Sequence, residues 1–314
     1  MNTPANPEKL RIGVDLGGTG TRFVAINQNG DVVSRLSIAT PDSFTEESAA
    51  CFLYRRIRGI AEGRAIASIG IGASGPVDPE GVVRNPDTLP AFTNTPLVPE
   101  LAEAFGVPVA IDNDAACGAI AERRVGAAQG SPSLLHITLG TGIGSCLLLD
   151  GKPFRGSDGM HPEGGHIAVG IKTEPCYCGR RSCWEQAASR QTLQRTAAEI
   201  LVLKPTDRTA LAELANRAIA GNEQARAVFN NYGTAVADGL GTLLAAYRPR
   251  NVVLGGSAAD HYELFVDSLR ESLERLGVWI HFVELAKTKL DDFGGAIGAA
   301  YLDSPAGQTA RNIG

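Results

Sequence analysis

The sequence predicts an α/β protein with two sheets and helices packed against them. Three observations carry this. Hydrophobic strands alternate with helix-spaced segments through the first half of the chain. A strand, a Gly/Thr-rich turn and a second strand occur twice, once near the start and again after Gly130, which hints at two related domains. The length of 314 residues is enough for two well-filled cores.

In chain order, Ile12 to Leu16 reads as a strand, followed by the turn Gly17-Gly18-Thr19-Gly20. Arg22 to Asn27, the turn Asn29-Gly30 and Val32 to Ile38 complete a three-stranded antiparallel opening. Ala49 to Gly63 has helical spacing, with Phe52, Leu53, Ile57 and Ile60 on one side. Ala67 to Ala73 is a strand ending in Ser74-Gly75-Pro76, Leu97 to Phe105 a short helix, and Val107 to Ile111 a strand. Leu134 to Leu139, the turn Thr141-Gly142-Ile143-Gly144 and Ser145 to Leu149 repeat the opening pattern. Between Gly151 and Cys183 periodicity disappears, and a stretch of that length reads as a functional loop. Helices resume near Trp184, break at Lys204-Pro205, and include a long one from about Asn222 to Tyr247 that stops before Arg248-Pro249. Asn251 to Leu254 is a strand entering Gly255-Gly256-Ser257.

Composition excludes several classes. With 29 basic and 34 acidic residues, the chain lacks the basic footprint of a sequence-independent nucleic-acid binder. The polar stretch Met1 to Leu10 has no secretory-signal pattern. No segment approaches the roughly 18 apolar residues of a membrane span, so a cytoplasmic location without a membrane partner is expected. Of six cysteines, Cys51, Cys117 and Cys146 stand singly in apolar surroundings, and three crowd into Cys176 to Cys183. A disulfide scaffold is not expected at this length and in this compartment.

Three glycine turns follow hydrophobic strands: Asp15-Leu16-Gly17-Gly18-Thr19, Leu139-Gly140-Thr141-Gly142 and Leu254-Gly255-Gly256-Ser257. Each offers unobstructed backbone N–H groups and a hydroxyl, a geometry suited to phosphate without lysine. Asp15 adds a carboxylate for Mg²⁺, held directly or through water. The plainer reading is that these glycines only permit tight turns. Neither G-x-x-x-x-G-K-[ST] nor a strand-to-helix G-x-G-x-x-G is present, which disfavours P-loop and dinucleotide folds.

Asp112-Asn113-Asp114 stands between a strand and the helical segment Ala115 to Arg124. A carboxylate there can take the proton of a hydroxyl as its oxygen attacks phosphorus, or one of these residues can cap the helix. Glu163-Gly164-Gly165-His166 precedes Cys176-Tyr177-Cys178-Gly179-Arg180-Arg181-Ser182-Cys183. Three thiolates and an imidazole complete a tetrahedral structural zinc site, with His166, Cys176, Cys178 and Cys183 as ligands. His161 is an alternative nitrogen ligand, and a redox role for the C-x-C is the rival reading.

On these residues the chain resembles the ROK family of bacterial sugar kinases and sugar-responsive repressors over nearly its full length. The carriers are the Asp15-to-Thr19 loop, Gly72-Ala73-Ser74-Gly75-Pro76 with Ser74 in place of the usual proline, and Asp112-Asn113-Asp114-Ala115. Leu139 to Gly144, the Glu163-to-His166 and Pro175-to-Glu185 signature, and Leu254 to Ser257 complete them. The likeness is to the glucokinase and fructokinase members, in the branch without a DNA-binding module, since only about ten residues precede the first strand. It implies the actin-like ATPase (ribonuclease H-like) fold shared with hexokinase, with domains over 1–122 and 123–314 around an interdomain cleft. It leaves open whether the last helix, about 295–303, packs back on the N-terminal domain.

The resemblance implies an ATP-dependent hexose kinase using Mg²⁺ and a structural Zn²⁺, expected as a homodimer. Asp114 is the general base toward a sugar hydroxyl, usually the 6-OH. Asn113, Glu163, His166 and Glu185 contact the sugar. Gly17, Gly18, Thr19, Gly140, Thr141, Gly142, Gly255 and Gly256 hold nucleotide phosphates, with Asp15. Asn85, Asp87 or Thr88 fills the position of a sugar-contacting asparagine. Departures from the family pattern are Gly20, Ala116, Asp158 and Ser182. Glucose, fructose, mannose and N-acetylated hexosamines remain open as substrates, and a sugar sensor without catalysis is the alternative function.

Overall fold

The computed structural model describes residues 9–170, 173–207, 209–277 and 282–302. They form two compact units. The first holds the described residues up to Gln129, Pro153–His161 and those from Lys289 onward; the second holds Gly130–Lys152 and Pro162–Thr288.

In the first unit, β1 (Lys9–Leu16), β2 (Gly20–Ile26) and β3 (Val32–Ala39) form the antiparallel opening, with Asp15 opposite Arg22. α1 (Ala49–Ala61) starts at Ser48, whose side chain accepts from the Cys51 N–H, and buries Phe52, Leu53, Ile57 and Ile60. β4 (Ala65–Ala73), α2 (Leu97–Phe105), β5 (Val109–Asn113) and α3 (Asp114–Arg124) follow. The sheet order is β3-β2-β1-β4-β5, and β4 pairs in parallel with β1 and β5. β5 is displaced from the predicted Val107 to Ile111. Pro108 has no N–H for the ladder, whereas Asp112 and Asn113 pair with Gly72 and Ala73. The displacement carries the polar run onto the strand end.

In the second unit, β6 (Ser133–Leu139) and β7 (Ile143–Leu149) form a hairpin, with the short β8 (Lys152–Pro153) at one edge. β7 begins two residues before the predicted start, because Ile143 and Gly144 pair with Leu139 and Thr138. The predicted loop holds one turn of 3-10 helix, Gly164–His166, and an isolated bridge from Ala168 to Cys183. α4 (Trp184–Ala188), α5 (Arg190–Leu201), α6 (Ala210–Ile219) and α7 (Glu223–Tyr247) follow. α7 is capped by Asn222 and ends at Arg248, in the left-handed region just before Pro249. β9 (Asn251–Gly255), α8 (Tyr262–Arg275) and β10 (Glu284–Lys287) complete the unit. The order is β10-β9-β6-β7-β8, with β9 parallel to β6 and β10. Each sheet thus places a glycine-turned hairpin beside a parallel strand. No helix among the described residues is long and apolar enough to cross a membrane.

The chain then returns to the first unit through α9 (Gly294–Ala299), which packs on β1, β4 and α3. Backbone meets backbone there. A β-carbon on Gly13 would lie 1.8 Å from the Ala296 carbonyl oxygen, one on Gly70 1.7 Å from that of Ala299, and one on Gly298 1.7 Å from that of Cys117. Asp303, within the predicted last helix, lies outside the described residues, as does the stretch before Lys9.

Candidate functional site

In the first unit, β5 passes directly into α3. Asn113 caps the helix, its Oδ1 accepting from the Ala115 N–H at 2.9 Å while its Nδ2 donates to the Gly75 carbonyl at 3.0 Å. Asp114 is the first helical residue, and its Oδ2 accepts from Ser74 Oγ at 2.8 Å. The capping and chemical readings therefore fall on neighbouring residues. Asn85 Nδ2 donates to the Ser74 carbonyl at 2.9 Å, and its Oδ1 accepts from the Thr88 N–H at 3.2 Å. The Ser74-Gly75 turn thus gathers Asn85, Asn113 and Asp114. Asp87 is exposed, and the Thr88 methyl lies against Gly18, where a β-carbon would come within 2.6 Å of it.

Asp15, near the end of β1, faces Gly295 so closely that a β-carbon there would meet its Oδ2 at 2.8 Å. The carboxyl keeps some solvent contact but is crowded by protein. Desolvation and then the charge of Asp114, opposed by Arg22, push its pKa up to about 7. The Asp15 and Asp114 carboxylates, beside the Gly17-to-Thr19 turn whose Gly17 N–H donates to the Gly20 carbonyl at 3.1 Å, form a donor set suited to a divalent cation. Asp112, at the end of β5, is ion-paired with Arg155.

In the second unit two glycine turns meet. Gly140 N–H donates to the Gly142 carbonyl at 2.9 Å, and the exposed Thr141 tips the turn. Gly256, at φ 79°, crosses the Leu139 backbone so closely that a β-carbon would come within 2.7 Å of it, which places Gly255 and Gly256 beside Gly140. The Arg190 N–H donates to the Gly140 carbonyl at 2.9 Å. Glu185, in α4, accepts from the Ile143 N–H at 3.0 Å. Burial raises its pKa, opposed by that N–H. Glu163 precedes the 3-10 turn, and its carbonyl accepts from the His166 N–H at 3.0 Å. Glu163, His166, Ile167, Cys178 and Arg180 line an open depression of 390 Å³.

His166, Cys176, Cys178 and Cys183 present ligand atoms that all lie within 4.8 Å of one another. Cys176 Sγ is 3.5 Å from His166 Nδ1, and Cys178 Sγ is 3.5 Å from Cys183 Sγ. These are the edges of a tetrahedron whose centre stands about 2.0–2.3 Å from N and S ligands, so the set fits zinc. His161 is not part of it. Without a cation, burial and then the neighbouring thiols push the Cys183 pKa up to about 12; a cation would favour the thiolate. Gly179 and Ser182 both adopt positive φ in this loop, at 84° and 65°, and Thr173 Oγ1 accepts from the Ser182 N–H. Trp184, which follows Cys183, is fully buried, its Nε1 donating to the Ala235 carbonyl at 3.0 Å and its ring against Gly239.

Three residues outside the predicted set emerge. Ser74 touches Asp114, Arg155 touches Asp112, and Tyr177 OH lies 2.9 Å from His166 Nε2. A hydroxyl at a strand end was a visible signal for Ser74, and a tyrosine between two ligands for Tyr177. Nothing in the sequence pointed to Arg155.

A model of the ROK family matches residues 11–305. The chain belongs to the ROK family. It is 30% identical to a glucokinase of Streptomyces coelicolor over 314 aligned positions, covering 93% of this chain and 97% of the relative. An N-acetylmannosamine kinase of Vibrio cholerae is 32% identical, covering 78% and 83%. The structure of a ROK glucokinase from Streptomyces griseus in complex with glucose and AMPPNP superposes with a TM-score of 0.76 at 30% identity, covering 93% and 98%. The two sheet-bearing units are those of the actin-like ATPase fold of this family.

Proposed function

We propose that this protein is a Mg-ATP-dependent sugar kinase that transfers the γ-phosphoryl group to a hexose hydroxyl, the 6-OH of glucose, fructose or a related hexose. The observation that carries the reading is the Ser74-Gly75 turn, which gathers Asp114, Asn113 and Asn85 at the end of β4. Asp114 takes the proton of the acceptor hydroxyl as its oxygen attacks phosphorus, and Ser74 holds the carboxylate in one orientation. Asn85 and Asn113, together with Glu163, His166 and Glu185 of the second unit, are assigned to the sugar. Of the three candidates for the asparagine position, Asn85 is favoured by its bond to the Ser74 carbonyl. The glycine turns at Gly17, Gly140 and Gly255 are assigned to nucleotide phosphates, and Asp15 to the cation. Magnesium, when bound, neutralises charge on the β- and γ-phosphates.

The test is ADP release from Mg-ATP by the purified protein with glucose, fructose, mannose, N-acetylglucosamine or N-acetylmannosamine, against a no-sugar control. Strong preference for one hexose is the expected result. Preference for N-acetylmannosamine would move the substrate toward that of the Vibrio relative. Absence of sugar-dependent release from folded, zinc-loaded protein would overturn the kinase in favour of a sensor.

The four-residue cluster is assigned to zinc, with every position filled by protein, so its role is to hold the loop. One equivalent of zinc is expected on purification. Cys176→Ser is expected to weaken zinc binding by more than about 100-fold, beyond what changes outside the ligand set cost. Competition with a chromophoric chelator measures this, with Cys51→Ser as control. Stoichiometric, undiminished zinc in Cys176→Ser would remove the assignment.

A further inference from the structure

We propose that Tyr177 is a built-in competitor for the sugar hydroxyl at His166, a residue that sets how tightly the second unit holds its substrate. The proposal rests on the assignment of His166 to the sugar. His166 turns Nδ1 toward Cys176 Sγ and Nε2 toward Tyr177 OH, at 3.5 Å and 2.9 Å. With Nδ1 committed to a metal, the ring proton sits on Nε2, so Nε2–H can only donate. The oxygen that accepts is the phenol's. The Tyr177 ring stands edge-on to the imidazole, with centroids 5.1 Å apart.

The phenol oxygen thus bonds a residue assigned to the sugar, as a sugar hydroxyl would. The rest of the side chain does not hold it there, because Tyr177 is 78% exposed. Little apolar area is lost when the ring swings away, so the main cost of displacement is the bond to His166. A sugar hydroxyl that replaces the phenol recovers that bond.

Tyr177→Phe removes the competing oxygen and leaves the ring. Calorimetric titration of glucose, fructose and N-acetylmannosamine into zinc-replete full-length protein is expected to show roughly three- to tenfold tighter binding by the variant for the preferred sugar, matching the loss of one hydrogen bond. In ADP-release assays the gain is expected in KM rather than kcat. Equal or weaker sugar binding by Tyr177→Phe, with zinc content intact and ADP release still sugar-dependent, would overturn the competitor and leave the kinase standing. Tighter binding without turnover in either protein would support the competitor and overturn the kinase. Failure of all three sugars to bind either protein would overturn both.

Discussion

Asp114→Asn is expected to lower kcat by on the order of 10²- to 10⁴-fold, the usual contribution of a positioned general base. The substitution keeps size and shape, and an amide oxygen can still accept from Ser74 Oγ, which bonds the carboxylate at 2.8 Å. The α3 cap is kept because Asn113 Oδ1 accepts from the Ala115 N–H at 2.9 Å, a donor that Asp114 Oδ1 shares at 2.8 Å. Folding, measured by thermal denaturation, and zinc content are therefore expected to match wild type. Loss of the Asp114 charge also relieves part of the electrostatic push on Asp15, whose pKa is raised first by desolvation and then by Asp114. Falling back toward its ordinary range, Asp15 is ionised over more of the neutral pH region, so ATP binding is not expected to weaken. Wild-type turnover in Asp114→Asn would remove the base assignment, and loss of fold would show that the carboxylate is structural.

The second large effect is on stability. Gly70→Ala is expected to destabilise the first unit by about 3 kcal/mol or more, the upper end of what overpacking costs, because the backbone it meets has nowhere to go. The new β-carbon would stand 1.7 Å from the Ala299 carbonyl oxygen, an atom of the α9 backbone that cannot rotate aside. Gly59→Ala is the matched control. Gly59 lies inside α1, where an added β-carbon would meet nothing within 4 Å, so alanine there is expected to be neutral or to stabilise by about 0.5–1 kcal/mol. Denaturant midpoints for the pair check this. Equal midpoints would mean that α9 is not seated on the sheet. The displacement has a functional side too, since Gly295 in α9 packs against the Asp15 carboxylate.

Much of the fold was legible because each sheet opens with a hairpin, whose pairing is local and whose turn is marked by glycine. The strands were read within a few residues, and the errors have local causes. Pro108 moved β5 toward its C-terminal end, and pairing with β6 drew Ile143 and Gly144 into β7. α8 and β10 were not singled out in the sequence. α9 was harder to place, because three of its six residues are glycine, poor helix formers chosen for close approach rather than propensity. The His/Cys cluster was legible because its four residues, His166, Cys176, Cys178 and Cys183, fall within one loop.

The sequence by itself determined the two strand–turn–strand openings, the grouping of His166 with the three clustered cysteines and the polar run at Asp112 to Asp114, since each is a short-range pattern whose spacing limits what it can form. Only the tertiary structure decided that Asn85 rather than Asp87 bonds the Ser74-Gly75 turn, that Ser74 donates to Asp114, that Arg155 pairs with Asp112, and that Tyr177 meets His166 Nε2. The first three join residues 11, 40 and 43 positions apart. Such pairs depend on strand register and loop path, which propensity does not specify. The fourth is close in sequence, but a side chain's direction in an aperiodic loop is set by the ring and ligands it packs against, and those are assembled only when the loop folds.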